Sequence, residues 1–257
     1  MLLTGCEKPE PPKPEDPDAP VIEAVKGQFS VSDSTRVQFA QGNLKYKPST
    51  RTWSFAKHQY DCVGKDNENI SDTAYDGWID LFGWGTGDNP CRVSYSNAND
   101  TDGYYSTFHD WGNNISGGWR TLTVSEWNYL LSGRTGATVK YATATVNGMN
   151  GLIILPDLFT LPDGCSFTPG VNGWEGNSYT AAQWEKMEAA SAVFLPAAGI
   201  RWETTVNDVK DYGYYWSSTP ENWNSAYILS FNGNSVNASN GTLRHGGMSV
   251  RLVRNGN

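Results

Sequence analysis

YYWSSTPENWNSAYILSFNGNSVNASNGTLRHGGMSVRLVR, residues Tyr214 to Arg254, decides how the rest of the chain is read. Two patterns are interleaved in it. One is apolar and regular: Tyr215 and Trp216, then Tyr227, Leu229 and Phe231 at every second position, then Val250 and Leu252 beside Arg251. Large β-formers spaced by two mark strands with one buried face. The other pattern is small and polar: Asn222, Asn224, Asn232, Asn234, Asn237 and Asn240, with Ser225, Ser230, Ser235 and Ser239 between them. In a strand from Ala226 to Asn232, side chains alternate across the sheet, so Ile228, Ser230 and Asn232 fall opposite the core residues. The expectation is a sheet with a fixed inner face and an outer face of short hydrogen-bonding side chains. No nucleophile stands beside a base in this stretch, which points to binding.

The chain of 257 residues is long enough to bury a sizeable core. It carries 11 Trp, 13 Tyr and 27 Gly, whereas charged residues make up only 18 % and the net charge is −8. Such a composition favours a loop-rich, β-containing domain over a helical one. The acidic balance leaves no basic stripe for phosphates, so nucleic acid is excluded as a partner. No apolar run approaches the roughly 18–20 residues of a membrane-spanning helix.

Leu3-Thr4-Gly5-Cys6 resembles the end of a bacterial lipoprotein signal, which makes residues 1–6 a signal remnant and Cys6 the site of lipidation. That anchor is the one membrane contact expected. Residues 7–28 read as a linker. Its first part, EKPEPPKPEDPDAP over 7–20, holds six prolines that favour an extended stalk. At roughly 3 Å per residue the stalk reaches about 40 Å. The domain proper is expected over 29–257. Cys62 and Cys91 are left as either a disulfide pair or buried thiols, and no Cys-x-x-Cys spacing suggests zinc.

Alternating pairs at Phe29/Val31, Val37/Phe39, Leu44/Tyr46 and Trp53/Phe55, separated by turn residues, predict short strands. Residues 64–118 lack sustained periodicity, but their aromatic content predicts an ordered loop layer. Thr123-Val-Ser-Glu126 and Thr180-Ala-Ala-Gln183 are capping boxes that open two helices. The apolar runs Gly151–Leu155 and Ala192–Leu195, each ended by Pro, predict buried strands.

In this order, Trp119-Arg120-Thr121-Leu122-Thr123 with Glu126-Trp127 resembles a segment of formylglycine-generating-enzyme-like domains, a branch of the C-type lectin fold. Phe194–Gly199, Tyr215-Trp-Ser-Ser218 and Ser249–Val253 resemble later strands of that branch. Over roughly 29–254 the chain is similar to surface lipoproteins of Bacteroides-type bacteria, and 214–254 resembles the variable region of a diversity-generating retroelement. The resemblance implies an α+β, C-type-lectin-like fold of mixed short antiparallel sheets, two helices and long ordered loops. It implies a framework of Trp216, Ser217, Ser218, Ala226, Tyr227, Phe231, Gly247, Ser249, Val250, Arg251 and Leu252. The displayed, ligand-contacting positions would be Glu221, Asn222, Trp223, Asn224, Ile228, Ser230, Asn232, Asn234, Asn237, Asn240, Thr242, Leu243, His245 and Met248. The partner implied is a protein or glycan on another cell or a phage, met by an exported, lipid-anchored protein at the outer membrane.

Catalytic chemistry finds little support. Formylglycine-generating enzymes hold copper with paired cysteines near the end of the fold, and no cysteine follows Cys165 here. His58, His109 and His245 sit in no metal-ligand spacing, and no G-x-S-x-G elbow appears. The run from Asn97 to Gly103 mimics a calcium loop but misses the EF-hand pattern at its ends, so it reads as a solvated turn. No catalytic residue, metal or cofactor is therefore assigned. Two rival readings stay open. A fixed-specificity carbohydrate-binding adhesin would stack sugars on Trp78, Trp84 and Trp111. An enzyme on this scaffold would depend on His109 or Asp110.

Overall fold

The computed structural model describes residues 19–93 and 107–256. Cys6, the linker as far as Asp18, and the oxygen-rich run from Asn97 to Gly103 lie outside the described residues. Among the described residues are fifteen short strands, nearly all paired antiparallel, and two α-helices, an α+β arrangement. No helix among them is long and apolar enough to cross a membrane.

Phe29–Ser30 (β1), Arg36–Phe39 (β2), Leu44–Lys47 (β3) and Thr52–Phe55 (β4) fall where the alternating pairs predict strands. The packed chain starts earlier than the predicted boundary at Phe29. Val25 is buried in the core and donates its N–H to Phe39, and Phe55 N–H donates to Val21 O, so the last third of the predicted linker belongs to the domain. β3 and β4 form a hairpin. β2 sits inside a four-stranded sheet with β1 on one side and Val253–Asn255 (β15) on the other, and β15 pairs in turn with Trp119–Arg120 (β5). The two ends of the described chain are thus stitched side by side.

Both capping boxes form. The Thr123 hydroxyl accepts from Glu126 N–H, and the Glu126 carboxylate accepts from Thr123 N–H, opening Val124–Asn128 (α1). Glu126 is also gripped by both Arg120 terminal nitrogens at 2.8 and 2.6 Å, which is the physical content of the Trp119–Trp127 motif. Helix α1 runs on into a π-helical turn over Tyr129–Gly133. Thr180 and Gln183 repeat the box at the start of Ala181–Ala189 (α2). Between the helices, Tyr141–Val146 (β6) and Met149–Ile154 (β7) are joined by Asn147-Gly148, both at positive φ, the dipeptide a two-residue hairpin turn favours. Ser178–Tyr179 (β8) and Val193–Pro196 (β9) extend that sheet on either side, and α2 lays Trp184 and Met187 against it.

Ile200–Trp202 (β10) and Thr205–Asn207 (β11) make a small hairpin. After it come Gly213–Pro220 (β12), Ser225–Asn232 (β13) and Ser235–Leu243 (β14), a meander in the order β12-β13-β14. This meander lies between two apolar clusters. Tyr215, Leu229, Phe231 and Ala238 join the cluster containing Phe39, Leu122 and Trp127. Trp216, Ala226 and Ile228 join the other, with Phe82, Trp84, Trp111 and Met248. The closing stretch is a strand only from Val253. Val250 and Leu252 are buried, but they reach the core from an irregular segment that runs beside β12 through a parallel Tyr215–Ser249 bridge.

Arg251 ties these layers together. It is buried and donates to Asn43 Oδ1, the carbonyls of Ala40 and Gln41, and Phe194 O at 2.7–3.2 Å. Burial pulls its pKa down to about 10, so it stays charged at neutral pH.

Candidate ligand-binding face

Burial of the meander on both sides corrects the predicted outer face. Ile228 is 1 % exposed and Met248 is fully buried, so neither is available to a ligand. Burial of a side chain of this size is worth about 1.5–3 kcal/mol, so swinging either outward would be costly. Alternation alone misassigned them because the face opposite Leu229 and Phe231 is itself covered at this end by Phe82, Trp84 and Met248. Tyr227, expected in the core, is only half-buried. A register shift between Ile228 and Ser230 marks where the covered part of the face gives way to the open part.

The open part carries a coherent set of groups. Tyr214 stands opposite Ser230, and the Ser230 hydroxyl accepts from Asn240 Nδ2 at 3.2 Å across to β14. Tyr212 stacks flat on Tyr214, with ring centroids 5.7 Å apart. Trp202 and His245, both half-buried, meet edge-to-face at 5.3 Å. Burial lowers the His245 pKa, against an opposing pull from Glu203, so its imidazole is neutral at physiological pH. Trp202 and Tyr214 both pack on the second apolar cluster, which fixes these rings from beneath. Sequence reading did not single out Tyr212, Tyr214 and Trp202. Only the pairing of Tyr214 with Ser230 shows that it shares the polar face.

The predicted display residues occupy the two ends and the edge of the meander. Glu221, Asn222 and Trp223 are exposed in the β12–β13 connection, with Trp223 74 % exposed. Leu243, opposite Ser225, adds a second exposed apolar side chain at that end. Asn234 is exposed in the β13–β14 turn, and Asn237 and Asn240 lie exposed along β14, the edge strand. Asn224, Ser230, Asn232, Thr242 and His245 are half-buried. At about 3.4 Å per residue, the ends of β13 lie about 24 Å apart, so these residues form a band and not a single pocket.

Three asparagines in the band also build it. Asn222 Oδ1 accepts from the N–H groups of Asn224 and Ser225, Asn232 Oδ1 from Asn234 N–H and the Ser235 hydroxyl, and Asn237 Oδ1 from Ser239 N–H. Short amide side chains that bond the backbone two residues on are standard turn formers.

Arg244 pins the apolar end. Its guanidinium lies 4.3 Å over the Trp84 ring, Nε donates to Ser225 O at 3.1 Å, and Nη2 donates to Asn222 O. Its own N–H donates to Asn224 O at 3.0 Å. The loop bearing Trp223 is therefore clamped to the core by one buried arginine, which sequence reading did not single out. Close approach enforces Gly247 nearby, where an added Cβ would sit 2.7 Å from Arg201 Nη2.

The residues of the rival readings are placed differently. Trp84 and Trp111 are 1 % and 0 % exposed, core side chains and not stacking platforms. Trp78 alone of the three reaches the surface. The Asp110 carboxylate accepts from Gly112 N–H, Thr121 N–H and the Thr121 hydroxyl, so it holds the turn at Trp111–Asn114 against β5. His109 lies 3.6 Å from Asp88 at the surface. Cys62, Cys91 and Cys165 are free, half-buried thiols.

A family profile described as a domain of unknown function (DUF8237) matches residues 179–253, which include the whole meander. No curated protein and no solved structure matches the chain.

Proposed function

We propose that this chain is a surface-displayed ligand-binding protein, lipid-anchored through Cys6, whose C-terminal segment presents a diversified binding face on a C-type-lectin-like scaffold. It would belong with the variable proteins of diversity-generating retroelements. The observation that supports this most is the separation of roles within 214–254. Tyr215, Trp216, Leu229, Phe231, Arg244, Val250 and Arg251 are buried and hold the meander, while Trp223, Asn234, Asn237, Asn240 and Leu243 point outward from it. None of the second group packs into either apolar cluster, which is what a tolerant display surface requires.

The mix of groups suits recognition. Exposed Trp223, the Tyr212–Tyr214 stack and Leu243 supply apolar area, and the amides and hydroxyls between them adapt to the partner, as in antibody paratopes. A band about 24 Å long matches a macromolecular surface or an extended glycan better than a small molecule.

The test is binding of the full chain to glycan arrays and to immobilised bacterial and phage surfaces. Trp223→Ala with Leu243→Ala should lower any specific signal at least tenfold, and Trp78→Ala should leave it unchanged. Signal that survives the double variant and disappears with Trp78→Ala would replace this reading with the fixed-specificity adhesin.

A further inference from the structure

The two edge strands of the meander, β12 and β14, are treated differently by the rest of the fold. At β12 the edge is closed: Trp216 N–H donates to Ser249 O, Ser249 N–H to Tyr214 O and Ser218 N–H to Leu122 O. At β9, an edge of the sheet built on β6 and β7, Phe194 N–H donates to the Gln59 side chain and Arg251 donates to Phe194 O. β14 has no such cover. Among the described residues, no backbone hydrogen bond reaches 235–242 from the side away from β13. Its nine residues, SVNASNGTL, contain no charge and no proline, two of the devices that keep an edge from pairing. We propose that the end of this edge, 240–243, is where an extended polypeptide segment of the partner adds as a further antiparallel strand. The proposal rests on the display reading above and narrows its partner to polypeptide.

The hydrogen-bond phase of β14 fixes which of its groups point outward. Arg244 N–H donates to Asn224 O at 3.0 Å, which makes 224 and 244 a bonded pair. Bonded pairs recur at every second residue of an antiparallel ladder. Ala226 with Thr242 and Ile228 with Asn240 are therefore bonded pairs, and Gly241 and Leu243 turn their N–H and C=O away from β13. Ser225, opposite Leu243, gives the same phase, since its carbonyl accepts from Glu221 and Asn222 N–H. The Leu243 carbonyl takes one bond from Gly246 N–H, so Gly241 N–H, Gly241 O and Leu243 N–H face an added strand. The open run ends at 238–239. There β14 carries one residue more than β13, a bulge, and Asn128 Nδ2 donates to the Ser239 hydroxyl at 2.6 Å.

The same geometry sets the side chains of the added strand. A residue opposite Gly241 shares its face, and there the Glu221 carboxylate lies 2.2 Å from where a Cβ on residue 241 would stand. Opposed residues place their Cβ atoms about 5 Å apart, so a lysine or arginine at that position reaches the carboxylate. Two residues along the same face, Leu243 is 37 % exposed and offers a surface to an apolar side chain. The segment recognised reads apolar-x-basic in the antiparallel sense. A second copy of this chain fits poorly, because pairing β14 with itself brings two Glu221 carboxylates together between molecules of net charge −8. Main-chain bonding also suits a diversified face. Ladder bonds survive side-chain changes at Asn240 and Thr242, which then alter specificity alone.

The experiment is titration of the full chain with a capped peptide of alternating threonine and valine that carries leucine and, two positions on, lysine, read by hydrogen exchange at each amide. Exchange at Gly241 and Leu243 should slow about tenfold or more once the peptide is in excess of its Kd, with Leu229 and Phe231 unchanged. The same peptide N-methylated at leucine and lysine keeps its side chains and should give no protection. A peptide with glutamate for lysine should also fail, and Glu221→Lys should restore its binding. The proposal is overturned if the peptide leaves Gly241 and Leu243 unprotected, or if the N-methylated peptide protects them equally. It is also overturned if they become protected with rising chain concentration alone, which is self-pairing. If Trp223→Ala with Leu243→Ala abolishes capture of a bacterial or phage surface while the peptide leaves Gly241 unprotected, the display reading stands and strand addition fails.

Discussion

Replacing Arg244 by methionine should free the Trp223 loop while the sheet beneath stays folded. Methionine keeps an unbranched stem against Trp84 and removes the guanidinium that reaches Ser225 O and Asn222 O. Two hydrogen bonds from a charged donor contribute about 1.5–3 kcal/mol each. The contact over Trp84 adds about 0.5–2 kcal/mol. Water partly replaces these bonds once the loop opens, so the expected net loss is about 3 kcal/mol. Since 1.4 kcal/mol is a factor of ten, amide exchange at Asn224 and Ser225, whose N–H groups bond Asn222 Oδ1, should accelerate by about a hundredfold. Leu229 and Phe231, buried in the first apolar cluster, should keep the protection of the global fold. Urea denaturation gives the total, and hydrogen exchange read residue by residue gives its location. A variant within about 0.5 kcal/mol of the parent, with unchanged exchange at 224 and 225, would refute the clamp.

Arg251→Met, which strips the donors from four carbonyl or amide oxygens, three of them buried, should cost about 3–5 kcal/mol in urea denaturation, more than any substitution in the displayed band. Thr123→Ala removes the cap of α1 and should cost about 1 kcal/mol, with Glu126→Gln additive to less than the sum because the two share the capping box. Burial lifts Asp80 from 3.8 to about 6, so between those values the folded chain keeps a proton that the unfolded chain has lost. The stability of the parent relative to Asp80→Asn should therefore rise as pH falls from 7, by about 3 kcal/mol in all, levelling off near 4. A difference that grows with rising pH would contradict the assignment. Trp223→Ala should leave thermal stability within about 0.5 kcal/mol while reducing ligand capture, because the ring is 74 % exposed.

The signals that were legible in the sequence are local ones. Thr123 and Thr180 open helices because a hydroxyl and an acid or amide three residues on satisfy each other's backbone partner, and this needs no tertiary context. The early strands likewise follow their alternating pairs. The errors arise where one segment touches two layers. Ile228 alternates out of phase with Leu229 and Phe231, yet it meets Trp216 and Met248, contributed by chain 12 residues before it and 20 after it. Trp84 and Trp111 read equally well as platforms or core, since an indole in a polar loop carries no sign of which side it faces. Arg244 stood alone among asparagines and glycines with no periodicity to single it out, and only the fold brings Trp84 beneath it. Asn222, Asn232 and Asn237 read as display residues, but their side chains also shape the turns that carry them.

The central claim, that 221–248 is a diversified face on a fixed frame, is tested most directly by deep sequencing of this gene segment across a cultured population and its near relatives. The account predicts substitutions concentrated at Trp223, Ser230, Asn234, Asn237, Asn240, Thr242 and Leu243, with Ile228, Arg244 and Met248 spared along with Leu229 and Phe231. Substitutions spread evenly over buried and exposed codons, or none at all, would contradict it.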